Sequence, residues 1–547
     1  MTATLSRPAH AAATGPAHGL VGTWQLTRLA LRRDRVVLPI WIILLGIMPS
    51  TSSGTFETLY PTAAERAGLT ASMGANPSLS LIYGPAFDLS TAGGFTAWRL
   101  GGFLALIIGL MAVFTVTRHT RAEEDTGRAE LLASAVVGRY ALLSAAVLVS
   151  AGASVLIGLI ETGLMIGAKL PAEGAIALGG VTAATGLVFT AIAAVAVQVA
   201  EYSRTANGIG ATAVGVAFLL RAVGDSTSDA QWVSWLSPIG WAQRLRPFAD
   251  ERWWVVLLPL AATVVVGAVG YSLLPRRDVG TGLLPPRPGP AEAAASLRSP
   301  FALAWRLHRG PLIGWLIGVA VCAAVFGSVA SGIGDVVGES AQAKEIFQRL
   351  GGTDALIDAF MAAMAGMFAM VVALYGVQAA LRLRTEETAI RVEPLLATGV
   401  GRLRLLGSHL VFAFGGTALM MVVSGVLLGL SNGLRGDDVG GSIGDMTVAS
   451  LAQLPAVWVI VGLAVTLFGL APKFSTAAWA IAGLALLLSL FGAVLNLPQV
   501  LLDASPFSHV PKLPAAEFTA TPLIWLTGVA VVALAAGLVG WRRRDVG

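Results

Sequence analysis

The sequence predicts an all-α polytopic membrane protein, with twelve transmembrane helices as two parallel six-helix repeats. Three observations predict it. The 547-residue chain is 55% hydrophobic and only 12% charged, with mean hydropathy +0.76. Ordinary soluble domains carry about 25% charged residues. Apolar runs of about 20 residues recur, each long enough to cross a bilayer as a helix that satisfies its own backbone. Short motifs also occur twice, in the same order.

The spans are expected at 36–54, 98–118, 141–167, 175–200, 205–224 and 253–274, then at 311–333, 359–381, 405–430, 448–471, 475–495 and 521–541. Residues 1–22 are rich in Ala, Pro and His without an apolar core, and read as a disordered cytoplasmic tail rather than a signal peptide. Residues 23–280 form the first half and 301–547 the second. Between them, 281–300 holds Pro285, Pro286, Pro288 and Pro290, an extended semi-rigid linker. Arg28, Arg32, Arg33 and Arg35 precede the first span, and Arg542, Arg543 and Arg544 follow the last. This bias puts both termini in the cytoplasm of a plasma-membrane protein. Arg244, Arg246 and Arg252 then fall outside, with Asp250 and Glu251 beside them as expected local partners. Trp24–Arg35 and Phe301–Arg309 mix Trp and Leu with Arg, which suits either an amphipathic interfacial helix or a simple basic anchor.

The repeat is most explicit in a charged segment after the second span of each half. Glu123, Glu124, Arg128, Glu130, Leu132 and Arg139 recur, without a gap, as Glu386, Glu387, Arg391, Glu393, Leu395 and Arg402. Topology alone does not require carboxylates and arginines to stay in register, because acidic residues contribute little to it. The segment therefore reads as an exposed docking surface for a soluble partner, with Leu131-Leu132 and Leu395-Leu396 as an apolar stripe. Ser237-Pro238 before span 6 recurs as Ser505-Pro506 before span 12, and Arg276-Arg277-Asp278-Val279-Gly280 as Arg543-Arg544-Asp545-Val546-Gly547. Same-orientation halves of six spans imply a parallel repeat.

Composition excludes several functions. Net charge +5 is accounted for by loop arginines and needs no nucleic acid. Cys322 stands alone, so no intramolecular disulfide forms. No His/Cys/Glu cluster has metal-ligand spacing, and no nucleophile triad stands out. A P-loop needs Gly-Lys-Ser/Thr, because its lysine reaches the nucleotide phosphates. The four lysines, Lys169, Lys344, Lys473 and Lys512, precede Leu, Glu, Phe and Leu. The chain is thus not itself an ATPase.

Glu161 is a carboxylate within span 3, with Arg221 as a candidate partner; an intramembrane acid is a functional candidate by default, set against a satisfied interior Glu. Gly163-x-x-x-Gly167 and Gly425-x-x-x-Gly429 permit close helix contact.

The acidic repeat resembles the E-E-x-x-G-x-x-E-L-L-x-x-P-V-x-R signature of ABC-2 type exporter permeases. The likeness is greatest to the fused-half, twelve-span actinobacterial permeases described as exporting polyketide antibiotics or multiple drugs. Two departures stand in the second copy, Ile390 for Gly127 and Pro394 for Leu131. The resemblance implies that the acidic segment is a coupling helix. It implies two copies of a separate ABC ATPase that carry ATP and Mg, and no cofactor on this chain. It implies export of apolar or amphipathic small molecules through a cavity between spans 2 and 5 and their equivalents. Phe103, Phe114, Phe218, Phe368, Tyr375, Trp479 and Phe491 are its candidate lining. Membrane lipids are the other expected partners. The competing readings are a proton-coupled secondary multidrug transporter, which needs relay carboxylates and has Glu161, and an exporter of lipid or envelope components.

The lysine contexts set a first test. The purified chain, free of partners, should show neither ATP binding nor hydrolysis; robust intrinsic ATPase activity would overturn the reading.

Overall fold

A computed structural model describes residues 18–545, except 61, 64, 65, 68, 71–76, 227, 285–288, 337–351, 435–437 and 492–497. Described residues form helices and turns, with no strand among them. The chain divides into two compact units, Met1–Pro288 and Gly289–Gly547. Pro285, Pro286 and Pro288 of the expected linker lie outside the described residues.

The first unit runs α1 (Thr23–Arg33), α2 (Val37–Leu59), α3 (Pro77–Tyr83), α4 (Ala92–Arg118), α5 (Arg121–Asp125), α6 (Arg128–Ala133), α7 (Ala141–Gly167), α8 (Ala172–Val199), α9 (Ser203–Ser226), α10 (Gln231–Ser234), α11 (Pro238–Arg244) and α12 (Leu257–Leu273). The second runs α13 (Pro300–Val336), α14 (Gly352–Ala380), α15 (Arg382–Thr388), α16 (Val392–Ala397), α17 (Arg402–Gly433), α18 (Val439–Ala452), α19 (Leu454–Leu470), α20 (Ala477–Phe491), α21 (Gln499–Leu502) and α22 (Ala520–Arg543). Eleven helical stretches of the described residues are long and apolar enough to cross a membrane. Twelve were expected. At the eleventh place stands a shorter apolar helix, Ala477–Ser489, and 492–497, where that span would continue, lie outside the described residues.

The two units pack their helices in the same pairs. In the first, α8 is central and packs on α4, α7 and α12; α2 lies on α7. In the second, α19 packs on α14 and α22, and α17 on α13 and α18. Small residues set these crossings. A Cβ on Gly158 would sit 2.2 Å from the Gly179 carbonyl, and one on Gly425 or Gly429 would sit 2.7 or 2.4 Å from α18 backbone oxygens. The expected pair Gly425/Gly429 is thus a packing motif. Gly163 and Gly167 are not: nothing lies within 4 Å of a Cβ built on either. The first-unit contact falls earlier, at Gly158.

The Ser-Pro turns are equivalent in detail. Ser237 Oγ donates to the Ala217 carbonyl at 2.6 Å and Ser505 Oγ to that of Ala485 at 3.4 Å. Both pairs are separated by 268 residues. Each serine precedes a proline at the start of a short helix, where the missing N–H is not needed. Of the tail expected over 1–22, the described residues 18–22 are tied down, since Gly138 and Tyr140 donate backbone N–H groups to the Val21 and Gly19 carbonyls. Arg244 pairs with Asp225 at 2.8 Å and Arg246 lies over the Phe87 ring, rather than with Asp250 and Glu251. Glu251 instead accepts from the Phe248 N–H.

Overpacking a helix crossing costs roughly 1–3 kcal/mol. Gly158→Leu and Gly179→Leu should therefore lower the thermal midpoint of the purified protein, while Gly163→Leu should leave it unchanged. Equal effects at all three positions would contradict the assigned crossing.

Candidate functional site

The acidic repeat sits where α4 gives way to α5. At that junction Asp34, at the end of α1, forms an ion pair with Arg118 Nε at 2.8 Å and lies 2.7 Å from His119 Nε2. Two buried carboxylates follow. Glu123 pairs with Arg33 of α1. Glu124, its side chain 5% exposed, is gripped by Arg121 at 2.8 Å and by both terminal nitrogens of Arg277, at 2.8 and 3.0 Å. It also accepts the Gly280 N–H at 3.1 Å. Arg277 Nε donates to Gln198 Oε1 at 2.6 Å. Such a fork-to-fork arrangement is the strongest geometry available to a carboxylate–guanidinium pair. Arg139 closes the ring, donating to the Pro275 and Arg277 carbonyls at 3.0 and 3.3 Å.

The second unit repeats the lock. Glu387, also 5% exposed in its side chain, is held by Arg384 at 2.9 Å and by both terminal nitrogens of Arg544, at 2.8 and 2.9 Å. Glu386 pairs with Arg382 at 2.7 Å and Arg391 at 3.2 Å. Arg402 donates to the Arg544 carbonyl at 2.6 Å, and the Trp541 indole to the Arg402 carbonyl at 3.0 Å. The two duplicated motifs, Glu-Glu and Arg-Arg-Asp-Val-Gly, therefore bind each other within each unit.

This corrects the expectation of an exposed acidic surface. Glu123, Glu124, Glu386 and Glu387 point inward, because a carboxylate at a helix junction facing two guanidinium groups gains more from them than from water. Leu132 packs on Leu26, Ala141 and Ala145, and Leu395 and Leu396 pack on the second unit's core. The exposed groups lie on α6 and α16: Arg128, Glu130 and Leu131 in the first, Ile390, Arg391, Glu393 and Pro394 in and beside the second. Arg128 and Arg391 are both exposed and paired, with Glu123 at 3.9 Å and Glu386 at 3.2 Å. The Gly127/Ile390 departure leaves the backbone unchanged, since both are left-handed, at φ 72° and φ 56°. For a β-branched residue this is a strained conformation. The partners Arg33, Arg121, Arg277, Arg384 and Arg544 were missed in the sequence reading. For Arg277 and Arg544 the signal is the second duplicated motif, of opposite charge to the first.

The other candidates are dispersed. Phe103 and Phe218 meet at 6.4 Å, with the Arg221 guanidinium 4.4 Å over the Phe218 ring. Phe114 and Trp479 are exposed. Phe368 is buried against Phe326, and buried Tyr375 donates its hydroxyl to the Phe412 carbonyl at 3.1 Å. The Phe491 side chain lies outside those described. Glu161 is fully buried in α7. Its polar neighbour is Thr182, and neither carboxylate oxygen is closed into a hydrogen bond. Arg221 is not its partner: its donors go to the Leu81 and Ile82 carbonyls, at 3.2 and 2.9 Å. No group of three or more potential metal ligands occurs among the described residues.

Fold and site together define a class, an all-α multi-pass membrane protein whose duplicated halves each carry a charge lock. A family profile described as "Multidrug efflux system permease Rv1217c, C-terminal domain" matches residues 27–273 and again 297–542. The chain is 43% identical over 542 residues to the multidrug efflux system permease protein Rv1217c of Mycobacterium tuberculosis (strain ATCC 25618 / H37Rv), covering 99% of this chain and 98% of that one. The chain belongs to this family of multidrug efflux permeases.

Removing one partner of a buried ion pair leaves an uncompensated charge and costs about 3–5 kcal/mol. Glu124→Ala and Arg277→Ala should each lower the thermal midpoint sharply, and the double variant by clearly less than their sum. Glu130→Arg, on the exposed face, should leave it unchanged. Additive single effects would show that the two residues are not coupled.

Proposed function

We propose that this chain is the membrane half of an ATP-driven (ABC) exporter of apolar or amphipathic compounds. Two copies of a separate ATPase chain bind it, one on α5–α6 and one on α15–α16, and carry the ATP and Mg. The observation that carries the reading is the charge lock, built twice from the same residues at the same helix ends. Each lock ties a short exposed helix rigidly to the end of the sixth membrane helix of its half. That is what an external motor needs if its movement is to reach the bundle. The exposed Arg128, Glu130 and Leu131, with Ile390, Arg391 and Glu393, supply the contact, and the buried glutamates supply stiffness. The relative's name supports multidrug efflux as the direction and substrate range. Under this reading the protein lies in the plasma membrane with both termini and both locks in the cytoplasm.

A second reading rests on Glu161. A fully buried carboxylate without a counter-ion is expensive in a bilayer and would suit a proton-coupled transporter. One experiment decides between them. In proteoliposomes with ATP and the co-purified ATPase, export of a fluorescent drug should survive both Glu161→Gln and a protonophore. Glu130→Arg with Leu131→Glu should abolish drug-stimulated ATPase activity while leaving the permease folded. Export lost to the protonophore or to Glu161→Gln, with ATPase activity intact, would replace the first reading by the second.

A further inference from the structure

Behind the first lock lies a cavity of about 410 Å³, within the range of about 300–1,000 Å³ typical of small-molecule sites. Its position is specific. α6 forms one side, through Ala129 and Leu132, and the start of α7 the other, through Leu142 and Leu143; Leu26 of the amphipathic α1 also borders it. The cavity thus separates the exposed coupling segment from the membrane bundle, at the end where α4, α7, α8 and α12 all terminate or begin.

Its walls are apolar and its mouth is charged with both signs. Glu124 and Arg277 border it but are spent on each other. Arg139 and Asp278 are not. Arg139 uses Nη2 on backbone carbonyls, leaving Nε and Nη1 without a protein acceptor. Among the described residues the Asp278 carboxylate has no hydrogen-bond donor, and the two exposed side chains do not pair with one another. An apolar chamber at a bundle end, opening between one unspent guanidinium and one unspent carboxylate, matches a molecule with a hydrocarbon body and a head of both charges. An anion alone would satisfy Arg139 and meet repulsion from Asp278; a cation alone would do the reverse.

We propose that this cavity binds a zwitterionic phospholipid, with the phosphate on Arg139, the ammonium on Asp278 and one acyl chain among Leu26, Leu132, Leu142 and Leu143. The bound chain fills the space beneath α6, so that a push on α6 moves the bundle instead of collapsing the gap. The lipid contact itself does not depend on an ATPase partner, and its test needs none.

Native mass spectrometry of the full-length protein, released from micelles containing either phosphatidylethanolamine or phosphatidylglycerol, tests it. The wild type should retain one phosphatidylethanolamine, and phosphatidylglycerol about tenfold less readily. Arg139→Gln and Asp278→Asn each remove a charge-assisted contact and should weaken retention of phosphatidylethanolamine roughly tenfold. Val279→Trp plugs the mouth from an exposed position and should abolish retention without altering the thermal midpoint. Leu142→Trp fills the chamber from a half-buried wall position and should also abolish retention. Wild-type retention in both tryptophan variants, or equal retention of the two lipids, overturns the proposal. So does displacement of the phospholipid by an exported dye, which would make the cavity a transport site.

Discussion

The pairing of Glu124 with Arg277, and of Glu387 with Arg544, is the constraint on which the rest of each unit depends. A carboxylate removed from water is tolerated only when its lone pairs are met. Glu124 meets this with two guanidinium groups and a backbone N–H, and Glu387 with two guanidinium groups. The pair joins segments 153 residues apart in the first unit and 157 in the second. The end of the second span and the end of the sixth therefore cannot move independently. Arg139 and Arg402 extend the tie to the start of the third span through backbone carbonyls. Three membrane helices per unit are thus fixed at one end by a single network.

Where the halves have diverged, the divergence is local. Asp34 holds the end of α4 through His119 and Arg118. At the corresponding place, 274 residues on, stands His308, whose ring lies 2.9 Å from His409 and stacks on Phe412. Where the first unit has an ion-paired carboxylate the second has a buried histidine pair, while the Glu387 lock matches that of Glu124. Gly127 and Ile390 differ in the same manner: the side chain changes and the left-handed turn does not. The two copies therefore share the turn geometry while differing in the residue that makes it.

Much of this fold was legible in the sequence because lipid imposes a one-dimensional rule: long apolar runs must be helices. The duplicated Glu-Glu, Ser-Pro and Arg-Arg-Asp-Val-Gly motifs marked the repeat for a second reason, that polar residues in such a chain are few and each has a job. What the sequence could not disclose was direction. Glu124 and Leu131 are equally plausible as contact residues in a linear reading; only the tertiary arrangement turns the first inward to Arg277 and leaves the second open. The same limit explains Gly163 and Gly167. Their spacing is that of a packing motif, but the α7 face that meets α8 is the one bearing Gly158 and Glu161, and spacing carries no information on which face that is.

That face makes Glu161 informative. It lies at the crossing of the third and fourth spans, next to Thr182 of α8. In the second unit the residues at the same offsets as the flanking motifs, Ser424 and Ser450, are both fully buried, and α17 crosses α18 with Gly425 in close contact. The second unit therefore makes this crossing with hydroxyls alone, so the crossing does not require an acid. Nor does Glu161 join the networks at the bundle end, since the arginines there are committed to Glu124, Glu123 and Asp34. Neither packing nor ion pairing among the described residues demands this carboxylate, whose burial carries a substantial desolvation cost. A Gln at this position, equal in shape and unable to carry charge, isolates the contribution of the acid from that of the fold.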